Sequence, residues 1–164
     1  MVHPEHSHHE QWERVERLLQ LVLAKDQTAA CPGLQHYDLV VLCIQSMWNL
    51  KDWILNDPQF GAKSLSELKQ EIFTTRILLV CSDLANGTKH FRLDNPKTDI
   101  AMSNRTGFHV DSAQGIFQER FYIIAPDTND AFHRKEVRAF LQECRDTWSH
   151  IIDKHYLSYI DDES

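Results

Sequence analysis

The chain has few cysteines, no long apolar run, no excess of basic charge and none of the short signatures of the common enzyme classes. Cys31, Cys43, Cys81 and Cys144 are scattered through 164 residues with no Cys-x-x-Cys pair. That spacing argues against a disulfide framework and against a zinc site of paired cysteines, and predicts reduced, buried thiols. No stretch approaches the ~18 apolar residues that a membrane span requires. The His-rich, acidic N-terminus is not that of a signal peptide. A soluble, cytoplasmic protein with no membrane partner is therefore expected. Acidic residues outnumber basic ones, 24 to 17, for a net charge of −7. There is then no overall positive field to gather nucleic acid or anionic lipid, which lowers the expectation of such partners without excluding a local basic patch. A Gly-rich phosphate loop, His-Glu-x-x-His, Gly-x-Ser-x-Gly and the dinucleotide-binding fingerprint are all missing, so kinase, hydrolase and dehydrogenase readings have no support and no cofactor is expected.

What is present is helical periodicity. The first eight residues are polar and read as a loose leader; His3, His6, His8 and His9 are assigned to it rather than to a metal site. Trp12, Val15, Leu18, Leu19 and Val22 then recur at helical spacing to about residue 25. A second helix is predicted over 36–56, with Tyr37, Val41, Ile44, Trp48 and Leu55 on one face and Val40, Met47 and Ile54 on another. Two apolar faces mark it as central. Ser64 and Glu67 form a capping box that opens a third helix, which runs to Gly87. Residues 91–129 change character: Asn, Gly and Pro separate short apolar runs, and 98–102, 107–110 and 116–124 read as strands of a small antiparallel element. A last helix is predicted over 131–156, followed by an acidic tail at 158–164. The expected fold is mainly α: one domain, a four-helix antiparallel bundle with a small antiparallel β insert before the last helix.

Three polar intrusions break this pattern. On the third helix the stripe Leu65, Leu68, Ile72, Leu79 continues into Asp83, Asn86 and His90, which fall within about 40° of it. Buried polar groups cost several kcal/mol unless paired, so Asp83 and Asn86 are expected to be buried and hydrogen-bonded. If helices two and three form a hairpin, Lys89, His90 and His36 join them in one polar cluster. A carboxylate beside an imidazole serves general-base chemistry or metal ligation, and it equally serves as a lock at the end of a bundle. Asp52 shares a face with Ile44, Trp48 and Leu55 and is expected to be partly buried and paired with Lys51, Lys69 or an indole N–H. It lies ~20 Å from the level of Asp83. The third intrusion is Arg145-Asp146-Thr147-Trp148-Ser149-His150 in the last helix.

An arginine and a histidine separated by four residues resemble the R-x4-6-H motif of HEPN-domain ribonucleases, helical bundles, usually dimeric, that cut RNA without a metal. The resemblance implies that Arg145 stabilises the phosphate and that His150 is the acid/base group on the ribose 2′-hydroxyl. Leu50-Lys51-Asp52-Trp53 together with residues 83–90 is also similar to a pattern in uncharacterised bacterial and phage-borne helical proteins, and implies no activity. Two function classes follow: a HEPN-like, metal-independent RNA endonuclease of a toxin or defence system, acting as a homodimer, or a non-enzymatic module that binds a protein partner and whose polar clusters are structural. A weaker third reading places a metal on Asp83, His90 and His36.

Overall fold

The structure is a computed structural model that describes residues 7–24, 36–87, 97–102, 107–111 and 116–156; for 107–111 and 116–119 the main chain alone is described. These residues form five helices and four short strands: α1 (His8–Leu23), α2 (His36–Asn56), α3 (Leu65–Thr74), α4 (Arg76–Gly87), β1 (Ala101–Met102), β2 (Gly107–Asp111), β3 (Ile116–Arg120), β4 (Ile123–Ile124) and α5 (Val137–His155). The chain is mainly helical, with the β element inserted before the last helix, as its sequence predicts. No helix among the described residues is long and apolar enough to cross a membrane.

α2 touches every other helix, as its two apolar faces require. Val40, Cys43, Ile44, Met47 and Leu50 of α2 are fully buried, against Val15 and Val22 of α1, Leu68 and Ile72 of α3, and Phe140, Leu141, Cys144 and Trp148 of α5. Each such side chain contributes roughly 1.5–3 kcal/mol of burial free energy, so the core far outweighs any single polar contact discussed below. The strands pair antiparallel, β1 with β4 (Ala101 opposite Ile124) and β2 with β3 (Gly107 opposite Arg120).

Three boundaries differ from the sequence reading. The first helix begins at His8, and that residue is buried rather than part of a loose leader. The expected third helix is two helices with a break at Thr75. Thr74 and Thr75 turn their hydroxyls back onto the carbonyls of Gln70 and Glu71, a bond that bends helices. The Thr75 carbonyl then accepts the amides of Leu78 and Leu79 and starts α4 afresh. The break resets the phase of the stripe, so Leu78 is buried where the unbroken period selects Leu79.

The last helix begins at Val137 instead of 131. Asp127 and Asp130 each accept a main-chain amide two residues on, which builds consecutive turns. The chain from Arg134 to Val137 then bonds alongside Phe121 and Ile123 as an extra sheet edge. Arg134 sits at φ 61°, a left-handed conformation unusual for a residue with a Cβ.

Candidate functional site

α4 delivers its last turn to the inside of the protein: Val80, Cys81, Ser82, Asp83, Leu84 and Ala85 are all buried. Asp83, 2% exposed, is covered by the chain returning at 97–100. Its Oδ1 accepts the Lys97 amide at 2.9 Å, and its Oδ2 accepts both the Thr98 amide and the Thr98 hydroxyl. Both carboxylate oxygens are thereby used to hold the segment that enters the β insert. One turn along, the Asn86 amide donates to Ser82 Oγ at 3.5 Å and is only half-buried, so the expected burial holds for Asp83 and not fully for Asn86. Lys97 completes the lock. Its ammonium donates to Ser82 Oγ at 3.1 Å and stands 4.6 Å from the Trp48 ring and 5.6 Å from Phe73. Burial lowers the Lys97 pKa and Lys51 lowers it further, against the opposing pull of Asp83.

The larger cluster expected around Asp83 is not assembled by the described residues. Lys89 and His90 lie outside them. His36 supplies none of Asp83's hydrogen bonds; its ring lies 5.7 Å from that of Phe121. Burial, and then the charge of Arg138, lower its pKa to about 4. Of the three groups expected to hold a metal, Asp83 is bonded through both oxygens to Lys97 and Thr98, His36 packs on Phe121, and His90 lies outside the described residues. Asp52 pairs with Lys51, one of its expected partners, but its side chain is 59% exposed instead of partly buried. Each four-residue step along a helix turns ~40° further round, so two steps from Ile44 carry Asp52 off the core. Leu50 and Ile54 take the buried positions there.

Arg145 and His150 are separated by the core of their own helix. Five residues at ~100° each place them about 140° apart, with the buried Cys144, Trp148 and Ile151 facing inward. Arg145 turns to α1: its Nε donates to Glu16 at 2.6 Å, one terminal nitrogen donates to Asp146 at 3.0 Å, and the guanidinium lies 5.6 Å from the Trp12 ring. Glu16 first and Asp146 second hold it more firmly protonated than a free arginine. His150 is exposed on the other flank.

Two imidazole–carboxylate pairs escaped the sequence reading, both at the opposite end of α2 from His36. His8 donates its main-chain N–H (2.8 Å) and its ring Nδ1–H (2.6 Å) to the same oxygen of Asp57, just past the end of α2. His155, 3% exposed at the end of α5, donates to Glu71, which also receives Lys154. Between them, Tyr156 packs on Phe60 and on the rings of His8 and His9. The Asp57-Pro58 helix stop marks the place in the sequence, but nothing there tells which of four clustered histidines is buried. Elsewhere the free thiols of Cys43, Cys81 and Cys144 meet in the core; burial pushes Cys43 far above the ordinary thiol range, while a hydrogen bond with Cys81, then burial, raises Cys144.

Among the described residues no group of three His, Cys, Asp or Glu side chains is arranged to hold a metal ion. Compared with family models, with curated proteins and with solved structures, the chain matches none. The class its fold defines is a mainly helical domain with a small β insert, and the likeness to HEPN ribonucleases rests on the Arg145–His150 spacing.

Proposed function

We propose that this chain is a non-enzymatic protein-interaction module, whose conspicuous polar residues are structural locks. The observation that carries this reading is the state of Arg145. A phosphate-binding arginine must present donors to the scissile phosphate, whereas this guanidinium is shared between two carboxylates and laid over an indole. A phosphate drawn to the remaining guanidinium N–H groups would meet the carboxylates of Glu16 and Asp146, and His150 would have to come in from the far flank. Asp83 is committed in the same way, to the chain at 97–98. Partly exposed apolar side chains supply contact area for a protein partner: Tyr37 and Leu42 on α2, Leu65 and Phe73 on α3.

The competing ribonuclease reading shares none of these expectations. Purified protein incubated with single-stranded RNA in EDTA is expected to leave it intact. Cleavage that disappears in His150→Ala would overturn the module reading. On the positive side, a partner cross-linked to the chain in its native host is expected to be lost on Leu42→Glu or Phe73→Glu with helicity unchanged. Retention of that partner by both variants would remove these faces from the account.

A further inference from the structure

His8 is buried to 1% exposure, and Asp57, to which it is bonded, has a side chain only 4% exposed. The carboxylate accepts Nδ1–H and so fixes the tautomer: the proton is on Nδ1, and Nε2 carries a bare lone pair. That Nε2 is itself buried and has no hydrogen-bond partner among the described residues. Around the ring stand Phe60, edge-on at 5.0 Å and itself 1% exposed, Tyr156 at 5.5 Å and the second imidazole, His9, at 4.0 Å. The same Asp57 accepts three hydrogen bonds that join α1 to the turn after α2. Its Oδ2 anchors the first turn of α1 through the His8 main chain and ring, and its Oδ1 accepts the Gln59 amide that shapes the turn leading to Phe60.

We propose that His8 and Asp57 form a proton-operated latch, closed when His8 is neutral, that holds the N-terminal turn of α1 against the end of α2 and is released in mild acid. The geometry sets two effects against each other. Protonating Nε2 gives Asp57 a cationic partner, which favours the closed state. It also places a new N–H and a positive charge at a buried nitrogen with no acceptor among the described residues, next to an edge-on phenyl ring and a second imidazole. An opposite charge is typically worth 1–3 pKa units and full burial up to about 3–5, so the buried, acceptor-less nitrogen decides the direction. The position of the His8 pKa agrees: burial lowers it first, the Asp57 hydrogen bond raises it, His9 lowers it and the Asp57 charge raises it, with a net fall. Asp57 is held on the ionised side because, although burial raises it, the bonds from the His8 main chain, the His8 ring and Gln59 outweigh that.

Among the described residues, the charged and titratable groups facing the latch are Asp57 from the turn after α2, His9 from α1 and the Tyr156 phenol from the end of α5. His155, next along α5, is bonded to Glu71 instead. Because His8 is lowered, the folded state binds fewer protons than the unfolded one below the ordinary histidine value of about 6.5. The latch is therefore secure above that pH and weakens as the pH falls below it. Opening uncovers Phe60 and Tyr156 and frees the start of α1, which makes local acid opening a way to present an apolar surface.

Amide hydrogen exchange at the His8, Gln59 and Phe60 amides, followed by NMR between about pH 7.5 and pH 5, tests the latch. After correction for intrinsic rates, wild-type protection at these three amides is expected to fall about tenfold, roughly one pKa unit's worth, more than at α2 core amides such as Ile44. His8→Asn keeps a side-chain N–H donor for Asp57 but cannot titrate, and its protection is expected to be independent of pH. Equal loss in His8→Asn, or no local loss in the wild type, would overturn the proposal. Should His8→Asn fail to fold, the wild-type imidazole nitrogen shifts decide. They must report the Nδ1–H tautomer at neutral pH and a protonation that coincides with the loss of protection; protonation without that loss would equally overturn it.

Discussion

Replacing Asp83 by alanine removes one buried carboxylate and strands three donors: the amides of Lys97 and Thr98 and the Thr98 hydroxyl. Hydrogen bonds to a charged acceptor contribute about 1.5–3 kcal/mol each, and a donor left unpaired in the interior costs about 1–3 kcal/mol. Lys97 is exposed and Thr98 half-buried, so water recovers part of the loss. A cost of about 3 kcal/mol is the reasoned middle, a large share of the ~5–15 kcal/mol that stabilises a domain. Asp83→Asn is expected to fare little better, because its amide N–H₂ points a donor at donors. Urea unfolding followed by tryptophan fluorescence measures this directly, Trp48 lying beside Lys97. Asn86→Ala, which removes one long bond to Ser82, is the internal control and should cost well under ~1 kcal/mol. If Asp83→Ala unfolds within about 0.5 kcal/mol of wild type, the lock is not a lock and the reasoning from buried carboxylate to structural role fails.

Acid should destabilise the fold through His36. Its folded pKa near 4 lies below the ordinary 6.5, so stability is complete above about 6.5 and declines as pH falls toward 4. The loss is on the order of 3 kcal/mol at most. His36→Phe, packed on Phe121, should flatten that decline in a pH series of urea midpoints, and an unchanged slope would refute the assignment. Cys43, Cys81 and Cys144 should resist a thiol reagent until the protein unfolds, because all three are buried, and burial for Cys43, and the hydrogen bond with Cys81 followed by burial for Cys144, hold those two thiols protonated. Labelling of any of the three in the native state, located by peptide mapping, would contradict the packing described.

The helical layout was legible because periodicity reports burial along long helices: α2 spans 36–56 in the sequence pattern and in the structure alike. Periodicity fails where local side-chain chemistry takes over the main chain. Thr74 and Thr75 interrupt a continuous 3.6-residue pattern by bonding backward, and Asp127 and Asp130 divert six residues from the last helix into turns and a sheet edge. Asp83 was legible as a buried, bonded carboxylate since its place on the stripe demanded partners, but its partners, 14 and 15 residues away, were not. The His8–Asp57 and His155–Glu71 pairs were invisible for the same reason, with members 49 and 84 residues apart. The Arg145–His150 spacing could be read from the chain; that α1 would bring Glu16 and Trp12 onto Arg145 could not.

Whether Arg145 is committed to Glu16 is the point on which the functional account turns, and a double-mutant cycle measures it. Unfolding free energies of wild type, Arg145→Ala, Glu16→Ala and the double variant give the coupling between the two side chains, free of each residue's other contacts. For a partly exposed pair with one short bond, the expected coupling is about 0.5–1 kcal/mol, diminishing in high salt. A coupling indistinguishable from zero, with RNA cleavage lost in Arg145→Ala, would mean that the guanidinium is free for a phosphate and that the chain is a nuclease after all.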